Sequence, residues 1–364
     1  MKKLIGIFIV ATLALTSCNN QQPKTEAADI KQVQVDPKQE FAKLNEFLRK
    51  FDEPSQTFKA PTNKLIKVKG KQGTIIYINP SDLETESGQP IGKDVEIELK
   101  ELSSQQQLLR ANAQTVSDGQ LLVSGGACFI NVTSDGQKVK LKDGKTYSVA
   151  LPKLSDDEMT LYYGQRDSSD KMNWKQADQK FEVTKPKGDS IKSYEAIIVS
   201  GLRRKDTSRV AMKDMSKEEV QQEIEKNERE NKVSNKVYQP VAINQFGWIN
   251  CDRLFQQDAP RTNIQFAIVN KAEEVNYVNV YLIFSDIKSL MQSSYYVEDN
   301  KIEKNDFDNI PVGTSVKFLA VCYQHEKIFA VLTDNTKVTS NQNEKLLLKE
   351  MSETEFDKLM KSVQ

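Results

Sequence analysis

"LLVSGGACFINVTSDGQKVKLKDGKTYSVALP", residues 121–152, decides the fold class. Apolar and polar residues alternate through "CFINV" and "QKVKL", the period of a strand with one face in a core. Cys128, Ile130 and Val132 share one such face. The Asp-Gly pairs of "SDGQ" and "KDGK" are of the type that reverses a chain into a hairpin. Outward from this stretch the texture continues in "KLIKVKG", "GTIIYINP", "KDVEIELKEL" and "MTLYYGQ", short runs split by Gly, Pro, Asn and Asp. Residues 58–200 therefore read as an antiparallel β-sandwich.

The second half repeats the pattern in "QFGWINCDRLF", "TNIQFAIVN", "VNYVNVYLIFSD", "TSVKFLAVCYQHEKIFAVLT" and "TKVT". In "VNVYLIF", Val278, Val280, Leu282 and Phe284 occupy one face while Tyr281 and Ile283 fill the other, which predicts a central strand covered on both sides. Residues 241–350 form a second β domain on this reading. The fold class is mainly β: two antiparallel β-sandwich-like domains with a few short helices.

Three segments read as helix. Residues 36–52, "DPKQEFAKLNEFLRKF", place Asp36 at the N-cap, Pro37 in the first turn and Gln39 at the capping-box position. Phe41, Leu44, Phe47, Leu48 and Phe51 then line one face, which needs a domain surface or a membrane to cover it. Its polar face mixes acids and bases and lacks the basic bias of interfacial helices, which favours the domain surface. Residues 351–364 hold a capping box, Ser352 with Glu355, and a stripe of Phe356, Leu359, Met360 and Val363 that predicts docking on the second domain. Between the domains, residues 201–240 are a charged linker. Its "SKEEVQQEIEKNERENK" opens with Ser216 and Glu219 but offers only Val220 and Ile224 as an apolar pair.

The N-terminus has a different design. Lys2 and Lys3 precede an apolar run from Leu4 to Leu15, which ends in the small residues Thr16 and Ser17. This is the layout of a secretory signal, residues 1–17, and the run is far short of the ~20 residues that span a bilayer. Leu15, Thr16 and Ser17 lead directly into Cys18, which closely resembles the bacterial lipoprotein box. The resemblance implies cleavage before Cys18, a diacylglyceryl thioether on its sulfur, and a membrane as partner through that lipid. Two or more acyl chains hold a protein firmly where one binds only marginally. Residues 18–35 then lack aromatics and read as a flexible tether. In such lipoproteins an aspartate after the cysteine retains the protein in the inner membrane; Asn19 stands here, which points to the outer membrane.

The order of runs over residues 73–101 and 121–152 also resembles β-sandwich modules of the ankyrin and netrin-receptor type found in envelope lipoproteins. That likeness implies a fold and a binding role and transfers no site residue.

Composition excludes some partners. Lysines plus arginines and aspartates plus glutamates each number 51. Removing Lys2 and Lys3 with the signal leaves 49 against 51, a net charge near −2. Nothing in that balance steers the chain to nucleic acid. Zinc sites built on His pairs or CxxC pairs are excluded by count, since His325 is the one histidine, and no cofactor or metal is implied. His325 in "YQHEK" lies between two apolar runs and reads as a hairpin tip.

Beyond Cys18 the cysteines are Cys128, Cys251 and Cys322. A Cys251–Cys322 disulfide and three small core thiols are both open readings. "FGWINCDRLF" invites two readings as well. Trp248, Asp252 and Arg253 form a recognition patch for a sugar or peptide, or the run is a strand with Phe246, Ile249 and Leu254 in the core and a local Asp-Arg pair. "SDDE" at 155–158 and "RDSSD" at 166–170 lack the spaced oxygens and glycine of an EF-hand loop and read as solvated turns. "DSI" at 189–191 resembles a short O-glycan acceptor.

The expectation is a lipid-anchored envelope protein that binds or scaffolds without catalysis, with an envelope protein or a glycan as its partner. An envelope hydrolase using a carboxylate pair is the main alternative, and a cleft with two close carboxylates, one of raised pKa, would favour it. A subunit of an envelope assembly is the other, and it would show a large exposed apolar patch.

Overall fold

The computed structural model describes residues 37–182, 237–256, 258–271, 275–298, 301–302 and 305–363. The segments read from sequence as a signal, a tether and a linker helix, together with Cys18 and the Asp189–Ile191 tripeptide, lie outside these residues. The described residues belong to one compact unit.

Helix α1 (Pro37–Arg49) opens it, followed by strands β1 (Gln56–Pro61), β2 (Ile66–Lys69), β3 (Ile75–Ile78), β4 (Leu83–Thr85) and β5 (Asp94–Leu102). Helix α2 (Gln105–Arg110) comes next, then β6 (Val116–Ser117), β7 (Gln120–Ser134), β8 (Gln137–Leu141), β9 (Tyr147–Ala150), β10 (Met159–Arg166) and β11 (Met172–Phe181). Strands β12 (Val241–Ile243) and β13 (Gly247–Leu254) complete the first sandwich: β12 pairs with β9, and β13 inserts between β7 and β10. Its larger sheet runs β1-β5-β7-β13-β10-β11 and its smaller one β12-β9-β3-β2.

The second sandwich starts at β14 (Arg261–Ile268) and continues with β15 (Tyr277–Phe284), β16 (Ser289–Glu298), β17 (Lys301–Ile302), β18 (Asp306–Pro311) and β19 (Ser315–Gln324). Strands β20 (Lys327–Leu332), β21 (Thr336–Lys337), β22 (Asn343–Leu346) and β23 (Lys349–Met351) and helix α3 (Glu353–Lys361) end the chain. One sheet runs β17-β16-β15-β19-β20-β23 and the other β18-β14-β22. The β14–β22 ladder is parallel, the one exception among the strand pairings of the described residues.

Two sandwiches were expected; their junction differs from the expectation. Residues 241–254, read as the start of the second domain, are strands of the first. Tyr238 and Ile249 are buried there beside Ile76 and Val149, because the apolar face of β13 matches the core between β7 and β10.

Three apolar layers separate four sheets. The first lies within the first sandwich (Ile76, Ile97, Cys128, Ile130, Leu161) and the third within the second (Phe266, Val280, Phe284, Phe318). The middle layer packs the outer face of the large first sheet, through Ala127, Tyr162 and Trp174, against Tyr281, Ile283, Leu319 and Val321 of the second sandwich. Leu44, Phe47 and Leu48 of α1, Leu108 and Leu109 of α2, and Phe356 and Met360 of α3 fill the same layer. The apolar stripe of α1 is thus spent on the body: Phe47 stacks on Tyr323 with centroids 4.4 Å apart. Helix α3 docks here too, where α2 and α1 meet it, rather than on the second sandwich alone. Gln106 Nε2 donates to Met360 O at 3.1 Å, and Arg110 pairs with Asp357. Burying both faces of β15 explains why all eight of its residues are buried.

"SGGA" shifts the parity of β7. Leu122 faces the middle layer, yet so does Ala127, while Cys128, Ile130 and Val132 face the first core. The ladder with β13 slips between Asn250 and Asp252, which oppose Ala127 and Ser124. This is a β-bulge at Gly125 and Gly126. Gly126 has φ +114°, and a Cβ on Gly125 would stand 2.5 Å from Cys251 O, so both positions require glycine.

The turns divide. "SDGQ" occurs twice, and Asp118-Gly119 and Asp135-Gly136 both have positive φ, the type I′ pairs that close β6–β7 and β7–β8. "KDGK" differs from expectation: only Gly144 is left-handed, and the turn carries the chain from β8 across the sandwich to β9, which pairs elsewhere. His325 and Glu326, at φ +52° and +60°, form the tip of the β19–β20 hairpin as expected.

Candidate functional site

Strand β13 carries the residues singled out in the sequence. Ile249 and Cys251 point into the first core, and Trp248, Asn250 and Asp252 alternate with them toward the middle layer. Trp248 lies against Phe129, centroids 5.2 Å apart, with the Arg166 guanidinium 5.4 Å over its ring. Gly164 makes room for it, since a Cβ there would be 2.7 Å from both Trp248 Cβ and the Trp174 ring. Arg253 turns outward, and its Nε donates to Asp157 Oδ2 at 2.7 Å.

The proposed recognition patch of Trp248, Asp252 and Arg253 is therefore not assembled. Alternation along the strand sends Arg253 to the face opposite Trp248 and Asp252, and the three end as a surface ion pair, a packed ring and a buried carboxyl. The local pair also differs from expectation: Arg253 takes Asp157, not Asp252.

The cysteine pairing is corrected as well. Cys128, Cys251 and Cys322 are all buried and free. Cys251 sits in the first core and Cys322 in the third layer, separated by the middle layer, so no Cys251–Cys322 disulfide forms. Burial pushes all three thiols up, Cys322 to about 11, which keeps them as unreactive thiols.

Asp252 is the chemically unusual member of β13. It is 0% exposed, and Asn250 Nδ2 donates to its Oδ2 at 2.6 Å, while Asp252 Oδ1 and Asn250 Oδ1 have no partner among the described residues. Desolvation drives its carboxyl up to about 8, against the lowering influence of Ser124, Asn250, the Gly125 amide and Lys288. It is the one carboxyl pushed upward among the described residues, and no accessible carboxylate shares its site, so the arrangement expected of a paired-acid hydrolase is not built around it.

Lys288 leads from Asp252 to the surface. Its main-chain oxygen accepts from Ser124 N at 2.9 Å, tying the two sandwiches, and its Nζ donates to Ser103 O at 2.7 Å. Burial lowers its pKa, and the neighbouring Asp252 and Cys251 side chains act in the opposite direction. The side chain lies in a groove of about 740 Å³ at the seam of the sandwiches. Ser103 to Gln106 form one wall, the β15–β16 turn from Ser285 to Lys288 another, and Lys361 and Val363 at the end of α3 the third. The groove is open to solvent, and a partly buried lysine lies among its polar groups.

The groove is positioned by hydrogen bonds along the seam. Gln105 Nε2 donates to Phe284 O and Ser289 O at 2.8 and 2.6 Å, and Thr115 N donates to Leu290 O at 2.9 Å. Helix α2 is held by a capping box, Ser104 with Gln107. That box was readable in "SSQQQLLR"; Lys288, in a polar turn, carried no sequence signal.

The acidic loops are turns, as expected. Asp167 Oδ1 accepts from Ser169 N, Ser169 Oγ and Lys171 N at 2.6–3.0 Å, and Asp170 pairs with Arg49. Asp156, Asp157 and Glu158 each pair with a cation. No group of three metal-ligating side chains occurs among the described residues. No described helix is long and apolar enough to cross a membrane. Compared with protein-family models and with curated proteins, the chain matches none of them.

Proposed function

We propose that this chain is a lipid-anchored protein of a bacterial cell envelope whose two-sandwich body binds or scaffolds without catalysing a reaction. The observation that carries the reading is the run Leu15-Thr16-Ser17-Cys18 at the end of a short apolar segment introduced by Lys2 and Lys3. A thiol at that position is the nucleophile that takes the lipid, and two or more chains hold a protein on a bilayer where one does not. Asn19 in place of an aspartate favours the outer membrane. The polar stretch after Cys18 is a tether, and the seam groove is the surface offered to a ligand.

Fractionation tests the anchor. The natural chain is expected in the membrane fraction, extracted by detergent and not by high salt. Cys18→Ser is expected to leave that fraction or to accumulate with its signal uncut. Equal retention and equal electrophoretic size of the two forms would overturn the reading.

A further inference from the structure

The seam groove presents a charge problem. Lys288 is held between the sandwiches, and its ammonium has one hydrogen bond, to a neutral carbonyl oxygen. It forms no ion pair among the described residues. Asp252 behind it is fully enclosed and mostly protonated near neutrality. Asp286, two residues earlier in the same turn, accepts from Ser315 N through its Oδ2 at 3.0 Å, is exposed to solvent, and forms no ion pair with Lys288. Lys361 at the rim is paired with Asp357. A partly desolvated cation that lines a groove is stabilised by an anion that can enter. The walls add acceptors: Gln105 and Gln106 commit their amide nitrogens to main-chain oxygens, which leaves their side-chain oxygens for a ligand's hydroxyl groups.

We propose that the seam groove binds a small polyhydroxylated oxyanion, of the class of sugar acids and sugar phosphates, with its charged group on Lys288 and its hydroxyls on Gln105 and Gln106. The inference gives a ligand class to the noncatalytic binding role proposed above and rests on that role, but not on the lipid at Cys18. Binding and membrane retention are measured separately, so either can fail alone.

The test uses the full chain in detergent, labelled with ¹³Cε-lysine, titrated with glucuronate, glucose 6-phosphate, inorganic phosphate and uncharged glucose. The expected result is saturable movement of the Lys288 resonance with glucuronate or glucose 6-phosphate, at least tenfold weaker with glucose. Which of the two acids binds more tightly assigns the headgroup as carboxylate or phosphate. Inorganic phosphate is expected to bind more weakly than either, for want of hydroxyls. Lys288→Met is expected to weaken the tighter acid at least tenfold, and Lys288→Arg to retain most of the affinity. The titration of the natural chain needs no substitution, so a misfolded variant does not rescue the proposal. No saturable shift with either acid, glucose binding as tightly as the acids, or phosphate alone binding would each overturn it, as would undiminished affinity in a folded Lys288→Met protein.

Discussion

Asp252 makes stability depend on pH in a way that can be worked out in sign. Its folded pKa, about 8, lies above the ~3.9 of an exposed aspartate. Between those values the folded state holds a proton that the unfolded state has lost. The stabilising contribution is complete below pH ~4, declines as pH rises, and is lost once pH passes the folded value. Each unit of separation corresponds to about 1.4 kcal/mol. Asp252→Asn keeps the shape and cannot ionise, so its urea midpoint relative to the natural chain should rise between pH 5 and about pH 8 and level off above that. A constant difference would show that Asp252 is not titrating in the folded protein. Two other residue effects follow from backbone conformation. Gly125→Ala places a methyl against Cys251 O and should cost about 1–3 kcal/mol in denaturant melts. His325→Asn with Glu326→Gly removes left-handed side-chain strain at the hairpin tip and should gain ~1 kcal/mol. At this scale the sequence is partly informative. "SDGQ" announced its turns and Cys322 its apolar company, but the raised acid of Asp252 depends on a neighbourhood made by β7 and the Lys288 turn, distant in sequence.

Among the elements, legibility followed how cleanly a face was apolar. The both-sided burial of β15 was readable because "VNVYLIF" is apolar at nearly every position, and α3 because Ser352 and Glu355 mark its start. Strand β16 was missed: its inner residues Gln292 and Ser293 are buried yet polar, so "SLMQSSYYVE" shows no alternation. Gln114 Oε1 accepts from Gln292 N at 2.9 Å and Gln114 Nε2 donates to Met172 O, while Gln292 Oε1 and Ser293 Oγ have no partner among the described residues. Helix α3 is where an element's contribution is easiest to measure. Phe356 is fully buried between Phe47 and Phe51, at 5.6 and 4.9 Å, so Phe356→Ala should cost about 3–5 kcal/mol. Equilibrium unfolding checks this, and a loss below ~1 kcal/mol would mean that α3 is only laid on the surface.

At the scale of the whole molecule the two sandwiches share one interior. Main-chain bonds from Ser124 to Lys288 and from Thr115 to Leu290 cross the seam, and all three helices are packed into the layer between them. Neither sandwich covers its facing sheet alone, so scanning calorimetry should show one cooperative transition; two transitions separable by denaturant would contradict a shared layer. The sequence conveyed two sandwiches but not this junction, because residues 241–254 follow the linker and read as the start of a new domain although they pair backward into the first. Rigid seating of the two halves is also what fixes the groove, whose walls come from both. On the proposed reading this body is held near a bilayer by the lipid on Cys18, and the N-terminal peptide of the protein isolated from membranes tests that most directly. Mass spectrometry should find a first residue at Cys18 carrying a diacylglyceryl thioether. A peptide that begins elsewhere, or one with an unmodified Cys18 thiol, would contradict the account.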